Sequence, residues 1–399
     1  MIRGENPDLD DREWRPCFHA AASARWSARR CSSLPPEAGL VISVIASLCA
    51  AVASLGCLYL LAAIFIVLLR KRKQKASPRP VPVTILKPLH GAEPRLTECL
   101  MSFCAQDYPG PVQIIFGLQD GGDPALAIAK DLQKKFPALD IGITVDASAH
   151  GANAKVSNLI NMKASAKHDI LIAADSDILA PPDYLEQVVA LLQKPGAGAV
   201  SVLYYGESAG SMWSRLAAAW INTHFLPSVM VGTALGLAKP CFGSTIALNR
   251  EALQRIGGFE AFASQLADDY AIGAAVRKAG FSVEIGPATV GHVCHEESLA
   301  DLLRHQLRWA RTVRSIDMPG YLGSFIAHPF GLALVGVAAG SASCLALAVM
   351  AIGLRVGLCK AVERSFELSR QAYWMSPITD LLAFGVFVWS FFGTSVTWK

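Results

Sequence analysis

An α/β domain on a mainly parallel sheet, carried between transmembrane helices at both ends, is the architecture the sequence predicts. Three observations predict it. Ala38 to Leu69 contains no charged residue, a run longer than the ~20 residues that cross a bilayer. Between Val81 and Val290, short apolar runs alternate with helical patterns, as they do where strands are joined by crossover helices. Beyond Tyr321 the chain is again uncharged as far as Leu354, apart from His328, and another apolar run spans Leu381 to Trp398. Composition agrees. With 52% hydrophobic and 17% charged residues, the chain is too apolar for an ordinary soluble protein and too charged to be embedded throughout. The net charge of +4 is modest, and basic residues cluster beside apolar runs without interleaved aromatics. An anionic lipid surface is therefore the expected partner, and nucleic acid is not.

Taken in order, residues 1–37 mix Arg with Asp and Glu without periodicity and read as a disordered tail. Residues 38–69 form a transmembrane helix, too long for a cleaved signal peptide and followed by "RKRKQK" rather than a small-residue cleavage site. That basic flank favours the cytoplasmic side, which puts the next domain, residues 70–320, in the cytoplasm. Within it, "VPVTIL", "VQIIFGL", "IGITV", "DILIAA" and "GAVSVL" are strand candidates, and Pro94–Phe103, Pro124–Phe136 and Pro182–Gln193 are helix candidates. Ligands of such sheets collect at the carboxyl ends of strands. Residues 321–399 form a membrane region of two or three helices. One long span from Tyr321 would leave Arg355, Lys360, Arg364 and Arg370 on the outer side, against the positive-inside preference, so a helix pair around "AAGSAS" is favoured. The ten cysteines contain no C-x-x-C pair, and Cys49, Cys57 and Cys344 read as small hydrophobes. "GHVCHEE", with His292, Cys294 and His295, is the nearest thing to a zinc cluster, but it lacks a second group of ligands and reads as strand-end packing.

The stretch "LIAADSDI" ends an apolar strand with Asp175 and Asp177. Two carboxylates this close raise each other's pKa unless a cation intervenes, and oxygen ligands suit Mg2+ or Mn2+ shared with substrate phosphates. The structural alternative is capping of the following helix. Upstream, "FGLQDGGDP" places Asp120 and Asp123 at another strand end, either to meet a ribose or base edge or simply to form a polar turn. Downstream, Asp268 and Asp269 open an amphipathic helix ending at Gly280, where capping accounts for one acid better than for two. In "SLADLLRHQLRWARTVR", Arg304, Arg308, Arg311 and Arg314 follow helical spacing. Arg311 and Arg314 read as the polar face of an interfacial helix on anionic lipid. Arg308 beside Trp309 suits a pyrophosphate and the wall of an acceptor site. The apolar segment Met212–Ala238 either dips into the bilayer or forms a buried core helix, and Gly243 to Thr245 are candidates for a sugar pocket.

The ordered motifs K-P-L-x-G-x-[DE]-P, Q-D-x-x-D-P, D-S-x-I, [ED]-D-Y and x-R-W, lying between an N-terminal anchor and C-terminal membrane helices, resemble those of the ceramide glucosyltransferases of glycosyltransferase family 21. The bacterial hopanoid-biosynthesis glycosyltransferases are close relatives of that family. The likeness covers about Val81 to Arg314, and "SVTWK" is similar to the family's C-terminal segment. It implies a GT-A nucleotide-sugar fold and an inverting transfer of a hexose, UDP-glucose foremost, to the hydroxyl of a membrane lipid such as ceramide. UDP-N-acetylglucosamine with a hopanoid acceptor is the alternative, and a non-catalytic lipid-binding scaffold is the rival from another class.

Residue by residue, the resemblance implies donor-binding roles for Glu93, where the family usually has Asp, and for Asp120, Asp123, Lys155, Asn158, Asp175 and Asp268. Asp177 completes a D-x-D with Asp175 as the metal pair for Mg2+ or Mn2+. Asp269 matches the general base, and Arg308 and Trp309 match the final catalytic motif. His305 fills that motif's variable first position, where Gln or Arg is usual, and joins the donor-binding set. The resemblance further implies a multi-pass protein of a bacterial inner membrane with its catalytic domain in the cytoplasm.

Overall fold

The computed structural model describes residues 36–70 and 78–393. Residues 1–35 of the tail, the basic run from Lys71 to Ser77 and the "SVTWK" segment lie outside the described residues. Helix α1, Pro36–Leu68, is apolar on every side: Ala53, Leu60, Ala63 and Val67 are buried while Leu48, Leu58 and Phe65 face outward. A helix that is hydrophobic all round needs an apolar medium or other helices to cover it.

The sheet domain runs β1 (Val83–Pro88), α2 (Leu96–Cys104), β2 (Val112–Leu118), α3 (Ala125–Lys135), β3 (Asp140–Val145), α4 (Ala154–Lys163), β4 (Ile170–Ala173), β5 (Ile178–Leu179), α5 (Tyr184–Leu192) and β6 (Ala197–Ser208). It continues through α6 (Met212–Trp220), a π-helix at Ile221–Phe225, α7 (Leu226–Ala234), β7 (Ile246–Asn249), α8 (Arg250–Arg255), α9 (Asp268–Lys278), β8 (Ser282–Cys294) and α10 (Leu299–Ile316). The eight strands form one sheet in the order β3-β2-β1-β4-β7-β6-β8-β5. Strands β3, β2, β1 and β4 are parallel, as are β6 and β8. β7 is antiparallel to both its neighbours. The sheet is mixed and mostly parallel, and β1 and β4 flank the point where the strand order reverses, where α/β sheets open a ligand crevice.

Apolar side chains cover both faces. α2, α3, α5 and α6 pack on one through Leu100, Phe103, Leu132, Tyr184 and Leu216. α4, α8 and α9 cover the other through Leu159, Met162, Leu253 and Val276. Gly117 in β2 permits the closest approach: a Cβ there would collide with Met162 Sδ and Asn158 Oδ1 of α4.

The chain then forms α11 (Met318–Gly323), α12 (Pro329–Ala338), α13 (Ala342–Phe366) and α14 (Ser376–Trp389). Among the described residues, Glu37–Leu68 and Ala342–Phe366 are long and apolar enough to cross a membrane, and Met318–Ala327 with Pro329–Ala338 qualifies only as one span bent by 68°. The apolar run therefore breaks near "AAGSAS", but its second helix does not stop at Leu354. Arg355, Lys360 and Arg364 belong to α13 rather than to a connection, and Arg355 is accommodated there by a buried partner, Asp380. The segment Met212–Ala238 is mostly buried against the sheet and α1 and is exposed at its ends, Met212 on one side and Leu235 and Leu237 on the other.

Candidate active site

A cavity of about 680 Å³ opens at the carboxyl ends of β1 and β4. Its floor is the loop joining β4 to β5. Ala174 N–H donates to Leu86 O at 3.1 Å and Val293 N–H donates to Asp177 O at 2.9 Å, which fixes the loop between β1 and β8 and leaves both aspartate side chains on the cavity. Beneath them lies Lys87, fully buried. Its ammonium donates to the Asp175 carbonyl and sits 3.9 Å from the Phe103 ring centroid. Burial pulls its pKa down to about 8 against the pull of the surrounding acids.

The two aspartates differ. Lys155 Nζ lies 2.6 Å from Asp175 Oδ1, yet burial and the neighbouring Asp177 leave the Asp175 carboxyl above its ordinary value. Desolvation acts on Asp177 as well, but His292, whose Nδ1 is 3.4 Å from Asp177 Oδ2, with help from Lys87, brings it down to about 2. Glu93 accepts from Ser176 Oγ at 2.9 Å, and burial beside Asp177 raises its pKa.

Opposite this pair is the start of α9. Asp269 Oδ2 accepts from Gly243 N at 2.9 Å and Oδ1 from Tyr270 N at 2.8 Å. Burial, then the charge of Asp268, raises Asp269 to about 6, with Lys155 opposing. Asp268 is buried, accepting from Asn153 Nδ2 at 3.2 Å and lying 3.8 Å from Lys155 Nζ. Although burial disfavours charge on Lys155, Asp175 and Asp268 hold its pKa well above the ordinary value. Gly243 is the pivot. A Cβ at that position would stand 3.0 Å from Lys155 Nζ, 3.2 Å from Asp175 Oδ2 and 3.6 Å from Asp269 Oδ2, so Asp175 and Asp269 face each other across one point. Arg308 and Trp309 of α10, with Tyr204, Phe242 and His292, complete the walls. Burial lowers the Arg308 pKa against the pull of Asp175.

The family model described as "Glycosyl transferase family 21" matches residues 41–399. The chain belongs to glycosyltransferase family 21. It is 24% identical over 204 residues to ceramide glucosyltransferase 1 of Caenorhabditis elegans, which covers 51% of this chain and 43% of that protein. It is 36% identical over 121 residues to the ceramide glucosyltransferase of Candida albicans, 28% of this chain and 22% of that one. An N-acetylglucosaminyltransferase of Bradyrhizobium diazoefficiens is 25% identical over 239 residues, 58% and 48% of the two chains. The chain thus spans about half the length, or less, of these curated relatives. Among solved structures, a mannosyltransferase from Pyrobaculum calidifontis in complex with GDP-Man and Mn2+ superposes with a TM-score of 0.50 at 19% identity, over 88% of this chain and 99% of that one. The fold is that of the GT-A glycosyltransferases.

The cavity brings together Glu93, Lys155, Asn158, Asp175, Asp177, Asp268, Asp269, Arg308 and Trp309. Three of the residues singled out in the sequence stand elsewhere. Asp120 accepts from Gly122 N within an exposed turn, Asp123 holds Gly91 N and Ala125 N, and Gln119 lines the cavity in their place. His305 Nδ1 pairs with buried Glu296 at 2.8 Å, and its ring stacks edge-on with Trp309 at 4.6 Å, so it supports the indole from behind. Arg311 and Arg314, read as lipid contacts, donate to the carbonyls of Phe392 and Gly393 at 3.0 Å each. Open carbonyls past the end of α14 attract guanidinium groups more strongly than a bare surface position would.

A divalent ion fits the donor set in one respect. Asp177 Oδ1 is buried without a hydrogen-bond partner, and Asp175 Oδ2 faces the same cavity. Among the described residues no group of three His, Cys, Asp or Glu side chains converges to hold an ion. Such an ion would draw its other ligands from a bound diphosphate, as hard cations at phosphate-transfer sites do.

Lys87, Tyr204, Phe242 and the contact of His292 with Asp177 were not assigned from sequence. Only Lys87 left a signal there: a lysine closing an apolar strand run must find buried acceptors.

Proposed function

We propose that the chain is a membrane-bound inverting glycosyltransferase moving a hexose from a UDP-sugar, UDP-glucose foremost, to the hydroxyl of a lipid such as ceramide. The observation that carries this reading is the placement of Asp269, a carboxylate with a pKa of about 6, across Gly243 from Asp175, in the cavity that Asp177 also lines. A base needs a pKa near the working pH and a substrate atom within reach.

In this reading Asp269 takes the proton of the acceptor hydroxyl as its oxygen attacks the anomeric carbon from the face opposite the diphosphate. The bond from that carbon to the phosphate oxygen breaks, and UDP leaves with the electron pair, so configuration inverts. Arg308 and Lys155 bring positive charge to the departing diphosphate. Asp175 and Asp177 would hold Mg2+ or Mn2+, which neutralises the leaving group's charge when bound. Glu93 and Asn158 shape the donor side, and Trp309 walls the acceptor side. The membrane spans at both ends keep the cavity near a bilayer, where a lipid hydroxyl is found.

A second reading, transfer from UDP-N-acetylglucosamine to a hopanoid-type polyol, is supported by the alignment with the Bradyrhizobium N-acetylglucosaminyltransferase, which is longer than those with the two ceramide enzymes. UDP release by membranes carrying the wild-type protein or Asp269→Asn, with mass spectrometry of the lipids, tests both. Equal release by the two proteins removes the enzymatic reading, and the mass added to the lipid decides between hexose and N-acetylhexosamine.

A further inference from the structure

Arg355 stands inside an apolar helix long enough to cross a membrane, yet it is 1% exposed. A charge in such a place is costly and is kept where it has work to do. Its Nε lies 2.8 Å from Asp380 Oδ1 of α14, and His224 Nε2 lies 2.9 Å from the same oxygen. The other arms of the guanidinium donate to the carbonyls of Thr223 and Ala327, both at 2.7 Å. One side chain thereby ties α13 to α14, to the turn before α12, and to the π-helix 221–225.

That π-helix leads to the cavity. π-Turns are rare and tend to sit beside functional sites. Asn222 clamps it to β6, accepting from Gly206 N at 2.8 Å and donating to Gly206 O at 3.0 Å. Its last residue, Phe225, stacks on Tyr204 with centroids 4.7 Å apart at 25°. Phe225 also meets Phe242 at 5.7 Å and Trp309 at 6.3 Å. Tyr204, Phe242 and Trp309 line the cavity, while the polar donor-side groups come from β4, α4 and α9. Directly after Phe225, α7 packs on α1 through Leu226 and Val231.

We propose that Asp380 and Arg355 are positioning residues for the acceptor side: their buried pair holds the π-helix so that Phe225 keeps Tyr204, Phe242 and Trp309 aligned as the wall against which a lipid acceptor docks. The inference rests on the transfer reaction proposed above. Through it, the membrane helices do more than anchor the domain. They set the shape of its acceptor wall.

The test uses the full-length protein in lipid nanodiscs, measuring kcat and KM for donor and lipid separately, with acceptor-free UDP release as a control. Asp380→Asn removes the charge that holds Arg355 and is expected to raise the lipid KM roughly tenfold. The donor KM and acceptor-free release should stay within about twofold of wild type. Asp380→Glu should restore most of the loss, and Phe225→Leu should reproduce it with the ion pair intact. Proportional loss of every parameter in Asp380→Asn would mean a folding role alone and overturns the proposal, as does an unchanged lipid KM. If Asp380→Asn does not fold, Phe225→Leu decides: an unchanged lipid KM in that variant overturns it. Wild-type protein that releases no UDP overturns the reaction itself, whereas wild-type turnover with these variants unaffected overturns only the positioning role.

Discussion

The pH dependence of turnover gives the sharpest test of Asp269. Burial and the charge of Asp268 raise its pKa to about 6. Only the ionised form accepts a proton, so the rate should rise with pH through that value and level off above it. At pH 5 about one molecule in ten keeps its base free, and the rate with saturating metal should fall about tenfold from its plateau. Asp268→Asn is the informative perturbation. It removes the neighbouring charge but keeps an oxygen for the Asn153 amide, which now donates at 3.2 Å, so the acid limb should move to lower pH with the plateau largely kept. Lys155→Met should move it upward, because Lys155 is the positive charge that opposes the shift, and it should also weaken donor binding. Asp269→Asn should lower the plateau by a factor on the order of 100 to 10,000 and abolish the limb. The assay is initial-rate UDP release between pH 4.5 and 8.5 in buffers of constant ionic strength. An acid limb that survives in Asp269→Asn belongs to another group, and one that does not move in Asp268→Asn contradicts the stated cause of the shift. The first result refutes the assignment of Asp269 as the base, and the second refutes the electrostatic origin given for its pKa.

Gly243→Ala should place a methyl group between Lys155, Asp175 and Asp269, at 3.0 to 3.6 Å from their polar atoms. Turnover should fall by about 100-fold or more while the melting temperature barely changes, since a displaced reacting centre costs rate more than stability. Removing divalent ions with EDTA should abolish UDP release, and Mn2+ or Mg2+ should restore it in the wild type. Asp177→Asn should need a much higher metal concentration, read directly as weaker Mn2+ binding by electron paramagnetic resonance. Lys87→Met leaves the Asp175 carbonyl without its buried donor, which should lower stability by about 1–3 kcal/mol in a denaturant titration. It should also weaken donor binding by loosening the loop that carries both aspartates.

Much of this site was legible because its chemistry forces particular residues to the ends of strands. A cavity at the switch between β1 and β4 must be lined by the residues just past those strands, so "KPLHGAEP" and "AADSD" announced it. The strand runs that became β1, β2, β4 and β6 were visible because strands buried on both faces read as continuous apolar runs, and β3, at the sheet edge and mostly half-buried, still showed as the short apolar run "IGITV". β7 did not stand out, because Ile246–Asn249 is four residues long and antiparallel, with no periodicity to detect. β8 was obscured by Gly286, Pro287 and Gly291 within it, and its pairing with β6 shifts register twice. Asp120, Asp123 and His305 sit in the right motifs but turn toward backbone or toward Glu296, and short polar side chains in turns take such nearby N–H partners readily. Arg355 was misread for a different reason. A charge at the end of an apolar run looks like a boundary until its partner, Asp380, is seen beside it.

Helix α10 shows why the membrane region and the cavity are one mechanical unit. It presents Arg308 and Trp309 to the cavity, and one turn further on Arg311 and Arg314 reach the carbonyls beyond α14. The same α14 supplies Asp380 to the cluster behind Phe225. A displacement of α14 would therefore reach the cavity by two routes, through the Arg308–Trp309 helix and through the π-helix. Both routes end at the aromatic wall, where Phe225 and Trp309 meet; His292, in contact with Trp309 and Tyr204, links that wall to Asp177, while β1 and β8 hold the backbone of the Asp175–Asp177 loop. Acceptor binding should therefore respond to the lipid surroundings more strongly than donor binding, whose Asp175–Asp177 loop has its backbone tied to β1 and β8.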